Sequence, residues 1–449
     1  MDKILITDAH VVSLDPDVGT LPRADVLIID GRIAQIGTDL EGVDAEHIDG
    51  TGTIAVPGFV DTHRHTFQAA IRGGHAAATL SDYFGGVLLG LATAFSPEDM
   101  YAGNLIGAYE ALNSGVTTIV DWCNAVNTPA HADAAVAALQ ETGIRAVFAY
   151  GPPSTFDYYL QATMTHPEDA RRVAQQYFSS TDQLLTFALA LRGPIGLAPE
   201  VNKYDFDLAR ELGARITVHA GMRLPGIPNG EVRLLHEAGL LGSDLTIVHA
   251  NETDDEELDW LAKAGATVSV APYVEMIMGH GQPPTNRLLA HGLQPSLSMD
   301  VAVAVPGDMF TQMRTALAQS RHDQLPGSPA DLFTPDRTTE DILRFATVNG
   351  AVACGLDDRI GTLTVGKDAD VVLIRSDAIN TMPGDDPYAT VVTAADTSNV
   401  DTVLVRGQAV KRHGVLTGAD LPRLRRLGIE ARDRVRARAA AQGAAALAG

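Results

Sequence analysis

The chain has 449 residues, 45% of them hydrophobic and 20% charged, which is too long for one small domain and too apolar for a disordered chain. Acidic residues outnumber basic ones 56 to 33, and the formal charge of −23 repels polyanions, which argues against a nucleic-acid partner. Two cysteines, Cys123 and Cys354, exclude a disulfide framework or a cysteine-rich zinc motif, and no apolar run is long enough for a bilayer.

The first segment reads as short strands. Lys3 to Val12 alternates and lacks the apolar block and cleavage site of a signal peptide, so a cytoplasmic protein is expected. Ala24 to Ile29 and Arg32 to Ile36 flank Asp30-Gly31, a strong hairpin turn. The same texture returns late in the chain, at Val371 to Ile374, Val400 to Val405 and Gln408 to Val415. Between these ends, buried-type strands alternate with helices. The strands are expected at Ile54–His65, Val116–Trp122, Arg145–Gly151, Thr186–Leu191, Arg215–Gly221, Leu245–Asn251, Thr267–Pro272 and Pro295–Asp300. Ser96-Pro97-Glu98-Asp99 starts one helix and Gly115 closes it, while Thr253 and Glu256 form a capping box for another. Eight strand–helix repeats predict an α/β fold with a closed (β/α)8 barrel; an open doubly wound sheet would need a glycine-rich phosphate turn that is absent. From Asp420 a helix is expected, with Leu424, Leu427, Ala431 and Val435 docked on the protein and arginines on the other face.

Metal-type residues fall at the strand ends. His63 and His65 are two apart and project to one side of a strand; His219 ends the fifth strand, His249 the sixth and Asp300 the eighth. A lone histidine at a strand end is ordinarily a surface or hydrogen-bonded residue. Agreement among four strands at the catalytic rim of a barrel is a different matter. His63, His65, His219 and Asp300 are therefore expected to hold one divalent ion, zinc first, with iron and manganese as alternatives. Such an ion lowers the pKa of a bound water toward about 7. His280, in a rim loop, is a candidate for substrate contact.

The run PGFVDTHRH at 57–65, with Ile71-Arg72-Gly73, VTTIVD at 116–121, the later histidines, Asp300 and GTLTVGKDADVVLI at 361–374, resembles the amidohydrolase superfamily, specifically its cytosine deaminase and s-triazine hydrolase branch. The resemblance implies a TIM-like barrel (57–358) with a small β-sandwich from both termini (1–56 and 359–449). It implies the same four metal ligands, His249 as the residue that orients the attacking water or the leaving side, and Asp300 as acceptor of the water's proton. One departure stands out. The branch usually carries a proton-shuttling glutamate three residues after the strand-five histidine, and here that residue is Met222, which does no acid–base work. Glu275, Glu252 and Glu231 could replace it, with Glu275 preferred. Gln68, Arg72, Trp122, Met222 and His280 are expected around the substrate, in rim loops 68–72, 122–127, 221–230 and 273–282. The expected function is hydrolysis of a non-peptide C–N bond in a small nitrogen-rich molecule, an aminoheterocycle, urea or carbamate. A metal-bearing decarboxylase, lyase or inactive scaffold is the alternative. A dimer is the expected assembly, as the commonest among soluble proteins.

Overall fold

Gly58 separates two sheets that the sequence reading joined into one strand. Thr53–Pro57 belongs to a small terminal sheet, and Phe59–Arg64 is the first barrel strand, β1. A Cβ at Gly58 would lie 2.0 Å from Thr117 Oγ1, so only glycine lets the chain cross there. The computed structural model describes residues 3–40, 44–223, 229–323 and 337–448; part of the expected rim loop 221–230, residues 224–228, lies outside them.

The remaining barrel strands are Val116–Cys123 (β2), Arg145–Tyr150 (β3), Leu185–Leu191 (β4), Arg215–Ala220 (β5), Leu245–His249 (β6), Thr267–Val270 (β7) and Pro295–Leu297 (β8). Each pairs in parallel with the next, in sequential order. A parallel bridge between Arg64 and Asp300 joins the last strand's extension to β1 at the C-terminal rim. The helices start largely where the sequence marks them. Ser96 and Asp99 form the capping box of helix Pro97–Asn113. The helix after β6 is capped one residue later than expected. Asp254 Oδ1 accepts from Glu257 N at 2.8 Å and Glu257 Oε2 from Asp254 N at 3.0 Å, while Thr253 is buried in the turn ahead of them. Aspartate is the better cap, and the threonine is occupied by packing.

Both chain ends build one mixed sheet of nine strands, in which Thr53–Pro57 pairs with Lys3–Val12 on one side and Val371–Arg375 on the other. Ile6, Val26, Ile33, Ile48, Leu363, Val371 and Leu404 share its core. The GKDAD segment ties this sheet to the barrel. Arg145 on β3 is fully buried, and donates to Asp370 Oδ2 at 3.0 Å and to Asp368 Oδ2 and Asp370 Oδ1 at 2.9 Å. The terminal helix Leu421–Ala448 packs chiefly on the barrel helix Pro97–Asn113. Leu424, Ala431 and Val435 are buried there, and Arg434 and Arg438 reach the buried Asp99. Among the described residues no helix is long and apolar enough to cross a membrane.

Candidate metal centre and active site

The barrel seam brings the expected ligands together. Asp300 N donates to His63 O at 3.0 Å and His65 N to Asp300 O at 2.9 Å, so the strand-eight carboxylate is fixed beside the strand-one histidines. The two-residue parity of β1 sends His63 and His65 inward. Arg64 points the other way, to Asp61 Oδ2 at 3.2 Å and Glu110 Oε2 at 2.6 Å. His249 and Asp300 both occupy left-handed backbone, with φ of 81° and 68°. That conformation is uncommon outside glycine and asparagine, and it clusters at functional sites.

His63, His65, His219 and Asp300 each offer one ligand atom, and the four lie within 4.8 Å of one another. His63 Nε2 is 3.1 Å from Asp300 Oδ1 and 3.1 Å from His219 Nε2, and His65 Nε2 is 3.4 Å from Asp300 Oδ1. The tautomer of His65 follows from its partners. Its Nδ1 faces Trp122 O at 3.0 Å and Asn124 Oδ1 at 2.9 Å, both acceptors, so Nδ1 carries the proton and the Nε2 lone pair points inward. Burial lowers the pKa of all three imidazoles: His65 to about 4, His219 well below the usual value, and His63 despite the adjacent Asp300. Burial alone would raise Asp300, yet the hydrogen bond from His63 and the surrounding imidazoles hold it below the ordinary carboxylate range. Three neutral imidazoles and an ionised carboxylate converging on one point are a donor set for a single divalent cation.

Behind this set stands a second pair. His249 Nε2 lies 3.9 Å from Asp300 Oδ2, and its Nδ1 lies 3.1 Å from Glu275 Oε1. Glu275 is fully buried and does not line the cavity. Its Oε1 also accepts from Ala271 N at 2.8 Å, and its Oε2 from Asn251 Nδ2 at 3.1 Å. The side chain expected to shuttle a proton is thus held behind the histidine, with both oxygens engaged.

Three of the four expected ligands, His65, His219 and Asp300, line a cavity of about 230 Å³, while His63 is fully buried and does not line it. Of the expected substrate contacts, Trp122, Met222 and His280 line it. Trp122 packs 4.4 Å from the His219 ring, centroid to centroid. His280 is buried with both ring nitrogens unpartnered, and burial together with nearby His249 pushes its pKa down to about 3. Gln68 and Arg72 do not line the cavity. Gln68 Nε2 donates to Tyr83 Oη at 2.6 Å, and Arg72 donates to Glu110 at 2.7 Å, sharing that carboxylate with Arg64. Sequence reasoning passed over the apolar wall Leu80, Tyr83, Phe84 and Leu88, and Tyr159, Arg192 and Ile195 after β3 and β4. Their signal was positional: they follow barrel strands, whose C-terminal loops carry function.

The sequence profile of the amidohydrolase family matches residues 54–410. A 5'-deoxyadenosine deaminase of Methanothermobacter thermautotrophicus is 29% identical over 92% of this chain and 94% of its own. A 5-methylthioadenosine/S-adenosylhomocysteine deaminase of Symbiobacterium thermophilum is 26% identical over 91% and 94%. Among solved structures, a zinc-bound adenosine deaminase from Xanthomonas campestris superposes with a TM-score of 0.84 at 23% identity, covering 97% of this chain and 99% of that one. A zinc- and atraton-bound atrazine chlorohydrolase variant from Arthrobacter aurescens gives 0.80 at 23% identity, covering 96% and 100%. With the match running through the barrel and into both halves of the terminal sheet, this chain belongs to the amidohydrolase family.

Proposed function

We propose that this protein is a metal-dependent hydrolase that removes an amine from a small aminoheterocycle, with zinc as the cation. The observation that carries the reading is the convergence of the ligand atoms of His63, His65, His219 and Asp300, the last three of which line a cavity together with His249. A bound divalent cation supplies Lewis acidity and makes hydroxide available near neutral pH. The residues do the rest. Asp300 keeps Oδ2 turned toward His249, so a proton leaving the attacking water has a carboxylate beside it and an imidazole beyond. Glu275 fixes the Nδ1 proton of His249 and leaves Nε2 facing the cavity as a base. Trp122, Tyr83, Phe84 and Tyr159 offer flat apolar surface to a planar ring, and neutral His280 offers a hydrogen bond to its edge. Gln68 acts through Tyr83, which it holds in the wall.

The names of the relatives support an aminopurine nucleoside, and those of the structural neighbours support adenosine or a triazine. The test is ammonia release by zinc-loaded protein from 5'-deoxyadenosine, 5-methylthioadenosine, adenosine and aminotriazines, with ureas and carbamates alongside. Release from an aminoheterocycle at a kcat of at least about 1 s⁻¹, an ordinary enzymatic value, is expected. Silence across the aminoheterocycles would overturn the proposal.

A further inference from the structure

Adding water across a C=N bond of an aromatic ring leaves an electron pair on the ring nitrogen, and that nitrogen must take a proton. Met222 lines the cavity and supplies none. Glu275 is committed to His249, Ala271 and Asn251. Glu252 is paired with Arg223 at 2.6 Å and does not line the cavity. Among the described residues one carboxyl besides Asp300 does line it, and that is Glu231.

Glu231 opens the short helix Glu231–Glu237 after β5 and is 6% exposed. Gly230 N donates to its Oε2 at 3.3 Å. No arginine, lysine or histidine among the described residues lies within ion-pair distance of it. A buried carboxyl with no cation favours its neutral form, and burial raises its pKa. A carboxyl biased in this way and lining the cavity is suited to hand a proton to a ring nitrogen and take it back.

We propose that Glu231 is the proton carrier of this site, donating to the ring nitrogen of a bound aminoheterocycle from the wall of the cavity that the strand-five histidine also lines. The assignment rests on the deamination reading above. The atoms balance as follows. Water oxygen bonds to the ring carbon bearing the amine, and the water's proton passes to Asp300 and His249. Glu231 gives its proton to the ring nitrogen as the C=N pair moves there. The exocyclic nitrogen then takes the proton back from His249, the C–N bond breaks, and ammonia leaves. The new hydroxyl returns its proton to Glu231, which leaves a ring carbonyl and the enzyme in its starting state.

The test compares wild type, Glu231→Gln, Glu231→Asp and the double variant Met222→Glu/Glu231→Gln on the aminoheterocycle that wild type deaminates fastest. Zinc content and thermal midpoint are measured for each. Glu231→Gln should lose about 10²–10⁴ in kcat, with KM within about threefold and zinc retained at one equivalent. Met222→Glu in that background should recover at least about tenfold, which a merely structural role for Glu231 would not produce. If Glu231→Gln fails to fold, Glu231→Asp carries the test: it withdraws the carboxyl by one methylene and should cost at least about tenfold in kcat. A folded Glu231→Gln within about threefold of wild type, or a folded Glu231→Asp at full rate, would overturn this assignment and leave the deamination reading standing. Wild type inactive on every aminoheterocycle would sink both.

Discussion

Replacing Glu275 with glutamine tests whether His249 works through a carboxylate behind it. The introduced amide would keep its oxygen toward His249 Nδ1 and Ala271 N, since both are donors. Its NH2 would then face Asn251 Nδ2, another donor, which also binds Gln282 O at 3.1 Å. Turning the Asn251 amide would relieve that clash but give up the Gln282 contact. The perturbation therefore keeps the hydrogen bond to His249 but strips it of its charge, and strains another contact. A hydrogen bond to a charged group is worth about 1.5–3 kcal/mol and a neutral one about 0.5–1.5 kcal/mol, so about 1–1.5 kcal/mol is lost. At about 1.4 kcal/mol per factor of ten, kcat should fall about 5- to 12-fold. Zinc content should stay at one equivalent, because Glu275 is no part of the donor set. Steady-state ammonia release with parallel elemental analysis reads both quantities. A loss under about threefold would refute the coupling of Glu275 to His249, and a loss beyond about 10² would return the proton-carrying role to Glu275 itself.

His63→Ala should abolish metal binding and turnover with the circular dichroism spectrum retained; one equivalent of zinc in the purified variant would contradict the ligand assignment. Arg145→Met should leave Asp370 buried without its partner and cost about 3–5 kcal/mol of stability in denaturant unfolding, with zinc affinity unchanged; a cost under about 1 kcal/mol would refute the anchoring role. Burial lifts the Asp205 carboxyl to about 6. A folded value above the unfolded one of about 3.9 means that the protonated native state is favoured; that stabilisation is complete below about pH 4 and is lost as pH rises through about 6. Asp205→Asn keeps an acceptor for His166 N, so it should stabilise the fold by up to about 3 kcal/mol at about pH 8 and change little at about pH 4; a lowered thermal midpoint at the higher pH would refute the sign.

The metal ligands were legible because a strand transmits direction. His63 and His65 share a face through parity alone, and a barrel strand's C-terminal end lies on the catalytic rim whatever the loops do. The barrel itself was legible in eight alternating segments, although the junction at Gly58 was not, because the apolar run passes through it unbroken and only the approach of Thr117 marks the change of sheet. Arg72 and Gln68 follow β1 closely in sequence, yet they lie in and beside the 3-10 turn Thr66–Ile71, whose geometry sends them to Glu110 and Tyr83. Glu275 was singled out from its place after β7 as the expected proton shuttle. Its direction depends on helix Pro272–Met278, which turns the carboxylate under His249.

The same contrast bears on how the reaction is divided between rigid and variable parts of the molecule. The donor set sits on paired strands and is locked by backbone bonds across the seam, with His249 and Asp300 held in a backbone conformation that only a tightly determined surrounding sustains. A cation site needs that rigidity, since a displacement of a fraction of an ångström changes its coordination. Proton transfer to a ring needs only a carboxyl within reach, and reach can be supplied by any element that borders the cavity. Met222 and Glu231 lie nine residues apart at the two ends of one rim loop and face the same space. Moving the acid from one end to the other leaves every ligand where it was. Loss of acid–base capacity at position 222 therefore does not argue for a dead site, and the intact His249–Glu275 pair beside the donor set argues against one.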